Sequence, residues 1–368
     1  MGTIKQNRAN NILTSGKLDA TDGLNNDIPA SNIANASFSN VTAYPPSAGT
    51  VVTKVASDPP SPSEGQVWFN TTSNVLKQYT LAAGSWATGN SMNTARSNLG
   101  GAGTQTAGLA FGGSIPPVTG ATEEYDGTSW VTSPGSLNTA RGSSLGGAGT
   151  QTAALAFGGY TTVETGATEE YDGATWTSNP TGLNTARRGL SGCGTQTAGL
   201  AFGGYDGANF SNSSEEYDGS TWTNSPGNLS AARSSLAGAG TQTAGLAFGG
   251  AIGPTGAPTI TTGTEEYNGS TWTSVNSMNT ARQLLAGCGI QTAALGFGGY
   301  TTVNTGATEE YDGTSWVTSS GSLNNARPYL AGVGTQTAGL AFGGSIPPVT
   351  GATEEWTVGL GIQTITVS

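Results

Sequence analysis

The eleven residues Gly103–Gly113, GTQTAGLAFGG, recur letter for letter at Gly194–Gly204, Gly240–Gly250 and Gly334–Gly344, and near copies begin at Gly149 and Gly289. A reaction needs its motif once, so a stretch written six times builds the molecule. The phenylalanine of each copy stands at 111, 157, 202, 248, 297 and 342, a period of 45 to 49 residues. Between copies the apolar residues come in short runs, "AGLAFGG", "TEEYDG" and "TSW", set among turn residues, which is the pattern of many short strands. No stripe of period 3.6 follows residue 65.

An all-β chain with this period is expected to be a β-propeller. Each unit reads as four strands, a to d from the axis outward. Strand a follows "TAR", as in Arg141–Gly149, and its glycines suit a crowded inner position. Strand b is "AGLAFGG", strand c "TEEYDG" and strand d "TSW". Asp126-Gly127 between c and d reads as a type I′ turn. Asn268-Gly269 in one copy keeps the turn and loses the charge, so this aspartate is a turn residue. The segment "VWFNTTSNVLKQYTLAAGSWAT" fits the same template, with Val67–Asn70 as b, Val75–Thr80 as c and Ser85–Thr88 as d. That predicts seven blades, with six as the alternative. The closing strand Ile362–Ser368 serves either as inner strand of the first blade or as outer strand of the last.

The aromatic pair of each unit, such as Tyr125 and Trp130, is expected between adjacent blades. The repeated arginines 96, 141, 187, 233, 282 and 327 are expected to bond to backbone groups or to a glutamate of the "EE" pair. Cys193 and Cys288 share a repeat position with alanines and a valine, so both read as buried free thiols.

Double glycine, then "EYDG..W", then "L-N-T-A-R" resembles the kelch repeat over residues 66–368. The resemblance implies a propeller and no single activity, since such propellers serve as oxidases, adaptors and adhesins. Residues 1–65 read as an extended attachment segment ending in a Pro-rich linker. Its apolar residues Ile28, Ile33, Phe38 and Val41 are candidates for particle attachment or a thin oligomeric stem. That segment and "SEGQVWFNTTSNVLKQY" resemble bacteriophage structural and tail-fibre proteins, and the "TQTAxLAFGG" repeats resemble those of cyanophage-like proteins. These resemblances imply a virion component made in a host cytoplasm.

Of 368 residues, 23 are acidic and 12 basic, and none is histidine. Residues 1–89 balance, so the whole net charge of −11 falls on residues 90–368, which contain no lysine. This acidity disfavours nucleic acid and anionic lipid as partners, and no run is long enough for membrane insertion. Lack of histidine removes the usual general base and the copper ligands that kelch-type oxidases need. "YDGTSW" lacks one residue of the sialidase Asp-box. No enzyme activity, metal or cofactor is expected.

Binding is therefore sought where the units differ. Turns a–b and c–d repeat monotonously on one face, whereas b–c loops vary on the other. Tyr160, Glu164, Tyr205, Asp206, Asn209, Phe210, Tyr300 and Asn304 lie in those loops, and Arg188 begins an a strand on the same face. Aromatics beside Asn and Asp suit a glycan. The expected function is a phage fibre or surface head recognising a host-surface glycan or protein, with residues 1–65 contacting other virion proteins. The alternative is a purely structural decoration protein.

Overall fold

The computed structural model describes residues 52–63 and 65–365, which form two compact units. The expected attachment residues Ile28, Ile33, Phe38 and Val41 lie outside the described residues. The chain is all-β, built of small sheets in a propeller-like arrangement.

The smaller unit comprises the residues up to Ala83 and those from Val358. Its sheet runs in the order Thr53–Val55, Val67–Asn70, Val75–Leu81, Leu360–Thr364. The first pair is parallel and the others are antiparallel. Asp58 accepts hydrogen bonds from Lys77 Nζ (2.7 Å), Asn70 Nδ2 (2.7 Å) and Trp68 Nε1 (3.0 Å). Those bonds, with Lys77 the strongest, hold its carboxyl at about 2.

This pairing corrects the expectation for residues 66–88. Val67–Asn70 and Val75–Leu81 do pair, but Ser85–Gly89 leaves them and joins Thr353–Thr357. By contacts, the two units divide at Ala83/Gly84 and at Thr357/Val358. The C-terminal strand is neither the inner strand of a first blade nor the outer strand of a last one, because it pairs with Val75–Leu81.

The larger unit, Gly84–Thr357, contains six four-stranded antiparallel sheets, numbered here one to six. Their inner strands are Gly100–Thr104, Gly146–Gly149, Ser191–Thr195, Ala237–Thr241, Ala286–Ile290 and Ala331–Gly334. Each neighbours the next, and the sixth neighbours the first, so the circuit closes without a seventh sheet. Sheet six takes Ser85–Gly89 as its outermost strand, the place held elsewhere by the strand after the Asp-Gly turn. A strand template read locally could not foresee this, because an edge strand has no sequence mark for its partner.

Packing explains the composition. The Leu-Ala-Phe of strand b is fully buried in sheets one, two, three, four and six, and so are the Tyr of strand c in sheets two to five and Trp356 in sheet six. Each strand-d tryptophan crosses to the sheet before it. Trp176, for example, lies 5.0 Å from Phe111 by ring centroids and donates from Nε1 to Thr122 Oγ1 at 2.9 Å. The inner glycines are a consequence: a Cβ on Gly192 would lie 2.4 Å from the Phe157 ring of the neighbouring sheet.

The turns differ in one respect from expectation. Gly127 has φ of 88°, but Asp126 is not left-handed, so the turn is not type I′. Instead Asp126 Oδ1 accepts the amides of Thr128 (2.8 Å) and Ser129 (2.7 Å), an Asx turn that closes the hairpin. Asn268 does the same through its Oδ1.

Candidate functional site

The repeated residues come first, because they must be accounted for before any can be called free. In all six sheets the repeated arginine (96, 141, 187, 233, 282 and 327) forms a buried ion pair with the first glutamate of strand c. Arg187–Glu215 at 3.0 Å and Arg282–Glu309 at 2.9 Å are examples, and both side chains are fully buried. The other carboxylate oxygen accepts the amide of the loop leading to that arginine, as Glu309 Oε2 does from Asn279 N at 2.6 Å. Burial holds the Arg96 guanidinium down to about 10, with Glu123 opposing.

The second glutamate reaches the next sheet. Glu124 accepts the Tyr171 hydroxyl at 2.5 Å and Glu266 that of Tyr311 at 2.8 Å. Sheet six carries Trp356 where the others carry tyrosine, so Glu310 has no phenol to accept, and burial raises its carboxyl, with the Ser319 hydroxyl opposing.

The glutamine of "TQT" lies in the turn between strands a and b. Its Nε2 spans to two backbone carbonyls of the preceding sheet. Gln105 reaches Gly339 O (3.1 Å) and Trp356 O (2.6 Å), and Gln151, Gln196, Gln242, Gln291 and Gln336 repeat the pattern. Its recurrence at every copy, even where Ile290 replaces the flanking threonine, was the available signal.

A second repeated device encircles the axis. The residue two after each arginine is left-handed: Asn98, Ser143, Gly189, Ser235, Leu284 and Tyr329, with Ser144 also left-handed where the chain has one extra residue. Their backbones hydrogen-bond in a closed circuit. Asn98 N donates to Tyr329 O, Tyr329 N to Leu284 O, Leu284 N to Ser235 O, Ser235 N to Gly189 O, Gly189 N to Ser143 O, and Ser144 N to Asn98 O, at 2.7–3.2 Å. Below this collar an axial pocket of about 110 Å³ is lined by the beginnings of all six inner strands.

What remains lies in the b–c loops. Tyr160 and Tyr205 each follow a double glycine and are pinned to the chain entering their own sheet. Tyr160 exchanges backbone hydrogen bonds with Gly142 (both 3.0 Å), and Tyr205 with Arg188 (3.0 and 2.8 Å). This brings together four of the predicted residues. The Arg188 guanidinium lies 4.7 Å from the centre of the Tyr160 ring and 5.1 Å from that of Tyr205, and its Nη1 is 3.5 Å from Glu164 Oε1. Each ring contact contributes about 0.5–2 kcal/mol. Phe210 meets Tyr205 edge-on at 6.3 Å.

The loop Tyr205–Phe210, "YDGANF", repeats the logic of "YDGTSW". Asp206 Oδ1 accepts the amides of Ala208 (2.8 Å) and Asn209 (2.7 Å), and Gly207 has φ of 96°. Those backbone bonds hold the Asp206 carboxyl below its usual range. Asp206 therefore shapes its loop, while Asn209 presents an exposed side chain. Tyr300 and Asn304 occupy the same positions in sheet five, three sheets further round, and are not part of this cluster. There Gln283 pairs with Tyr300 and Pro328 stands at the Arg188 position. The cluster escaped sequence reading because Tyr160 and Arg188 belong to different units.

No protein-family model matches the chain, and a search of curated proteins returns no match.

Proposed function

We propose that residues 84–357 form a six-bladed kelch-type propeller that acts as a non-catalytic recognition head on a bacteriophage particle. The b–c loops meet a host-surface glycan, and residues 1–65 join the head to other virion proteins. One observation carries this reading: the chemistry repeated in all six sheets is engaged in holding them together, whereas the grouping that occurs once, Tyr160–Arg188–Tyr205, is on the loops. The layout supports it. The chain enters the unit at Gly84 and leaves at Thr357, both at the end where the Asp-Gly and Gln turns lie, opposite the b–c loops.

The test is binding of the full chain to bacterial cells and a glycan array. A matched variant carries SIPPVTGA in place of residues 160–167, 205–213 and 300–307. Binding lost in the variant supports a recognition head. Equal binding by both proteins, or binding by neither, overturns it. A purely structural decoration role would then account better for one further observation, that sheets one and six carry the same SIPPVTGA loop.

A further inference from the structure

Arg188 is the one arginine or lysine of residues 84–357 that is not buried: the other six arginines sit in the buried pairs with glutamate, and the unit has no lysine. Its side chain is 36% exposed. The two tyrosine rings flank it, and Glu164, the one acid paired with it among the described residues, stands at 3.5 Å, beyond a strong charge-assisted hydrogen bond. A guanidinium flanked by two rings, partly open to solvent and with one long ion pair, matches a planar two-oxygen anion.

The surroundings narrow that anion further. The excess acids of the unit are the second glutamates of strand c and the turn aspartates, distributed over all the sheets. A ligand with dense charge meets that field everywhere, whereas an isolated carboxylate meets the one cation and is screened from distant acids within about 8 Å at physiological salt. The rings of Tyr160 and Tyr205 already face the guanidinium, which limits their use as sugar-stacking platforms. Asn209, exposed on the adjoining turn, offers a side-chain amide for hydroxyl groups.

Resting on the reading of the b–c loops as a recognition face, we propose that the Tyr160–Arg188–Tyr205 site binds the carboxylate of a uronic acid in a sparsely charged saccharide. The carboxylate takes the guanidinium fork, and Glu164 is the internal competitor that it displaces.

Titration of the full chain with cellobiouronic acid, with cellobiose as its carboxyl-reduced counterpart, and with a hexagalacturonate tests this. The expected order is the mono-acid over both others. Arg188→Gln is expected to weaken mono-acid binding at least tenfold, and Arg188→Lys nearly as much, since an ammonium lacks the fork. Glu164→Gln is expected to tighten it several-fold, an effect that a merely structural Glu164–Arg188 pair would not give. Thermal unfolding of each variant checks that the loops remain folded. Equal binding of the acid and cellobiose, or unchanged binding in Arg188→Gln, overturns the inference. If cells or neutral glycans are still bound through the loops in that case, the recognition head stands and only its ligand class falls. If nothing is bound, both fall.

Discussion

Arg282 Nη2 lies 2.9 Å from Glu309 Oε1, with neither side chain exposed to solvent, and the same relation recurs in the other five sheets. Such a pair is costly to break on one side and cheap to replace as a whole. Glu309→Ala is expected to cost about 3–5 kcal/mol, because it leaves a buried guanidinium uncompensated. Replacing both residues by methionine is expected to recover part of that loss, the Asn279 amide and the Gly296 carbonyl being left without their partners. Urea unfolding of the two variants decides it, and a double variant no better than the single one would contradict the argument.

The second glutamates predict opposite signs at one repeat position. Glu124 accepts the Tyr171 hydroxyl, so Glu124→Ala, which removes the acceptor, is expected to destabilise by about 1–3 kcal/mol. Glu310 has no such phenol, because Trp356 stands at the tyrosine position of sheet six, and burial raises its carboxyl. A raised carboxyl stabilises only below its unfolded pKa, and that stability is lost as pH rises through the folded value. Above the ordinary carboxylate range this loss burdens the fold, and Glu310→Gln is expected to raise the unfolding midpoint at neutral pH.

Alkaline stability follows from the same contacts. Burial, then the hydrogen bond to Glu124, pushes the Tyr171 phenol up to about 12, and Tyr267 likewise rises to about 12 beside Glu216. Tyr125, Tyr217 and Tyr311 are raised further still. A raised phenol contributes stability that is fully present below its ordinary value near 10. That stability is lost as pH climbs through the folded value. The ring is expected to weaken steeply above pH 10, and Tyr171→Phe is expected to flatten the curve measurably in denaturant titrations run at increasing pH.

Within one turn, Gln105 and Thr104 should behave differently. Gln105 holds two carbonyls of sheet six, and Gln105→Ala is expected to cost about 1–3 kcal/mol. Thr104 is exposed, and Thr104→Ala is expected to stay within about 0.5 kcal/mol of the parent. Equal losses at the two positions would mean that the turn, not the bridge, matters.

Leu284 is left-handed at φ 58°, a conformation a bulky side chain adopts at some cost. Asn98 fills the same collar position in sheet one. Leu284→Asn is expected to be neutral or to stabilise by up to about 1 kcal/mol, read from the thermal midpoint.

Six copies made the strands, the buried cysteines and the arginine–glutamate pairs legible, because a residue repeated without loss in one chain must serve each copy alike. Cys193 and Cys288 are indeed free and buried, with thiols raised by burial to about 12. What stayed hidden depends on partners far away in sequence. Ser85–Gly89 resembles every other strand d, and only its pairing with Thr353–Thr357 reveals that it closes the circuit. Gln105 bonds to groups more than two hundred residues away. The sequence places Arg188 on the face of the b–c loops, but its seat between Tyr160 and Tyr205 is a product of neighbouring sheets.

Ser85 and Thr357 stand opposite each other as an antiparallel pair. In such pairs the Cα atoms are about 5 Å apart. To whatever precedes and follows it, the whole stretch of 84–357 thus has the footprint of a simple hairpin tip. A gene could lengthen, shorten or exchange the circuit in units of one repeat without moving its two attachment points. The same geometry makes it a cassette that a loop of an unrelated protein could carry.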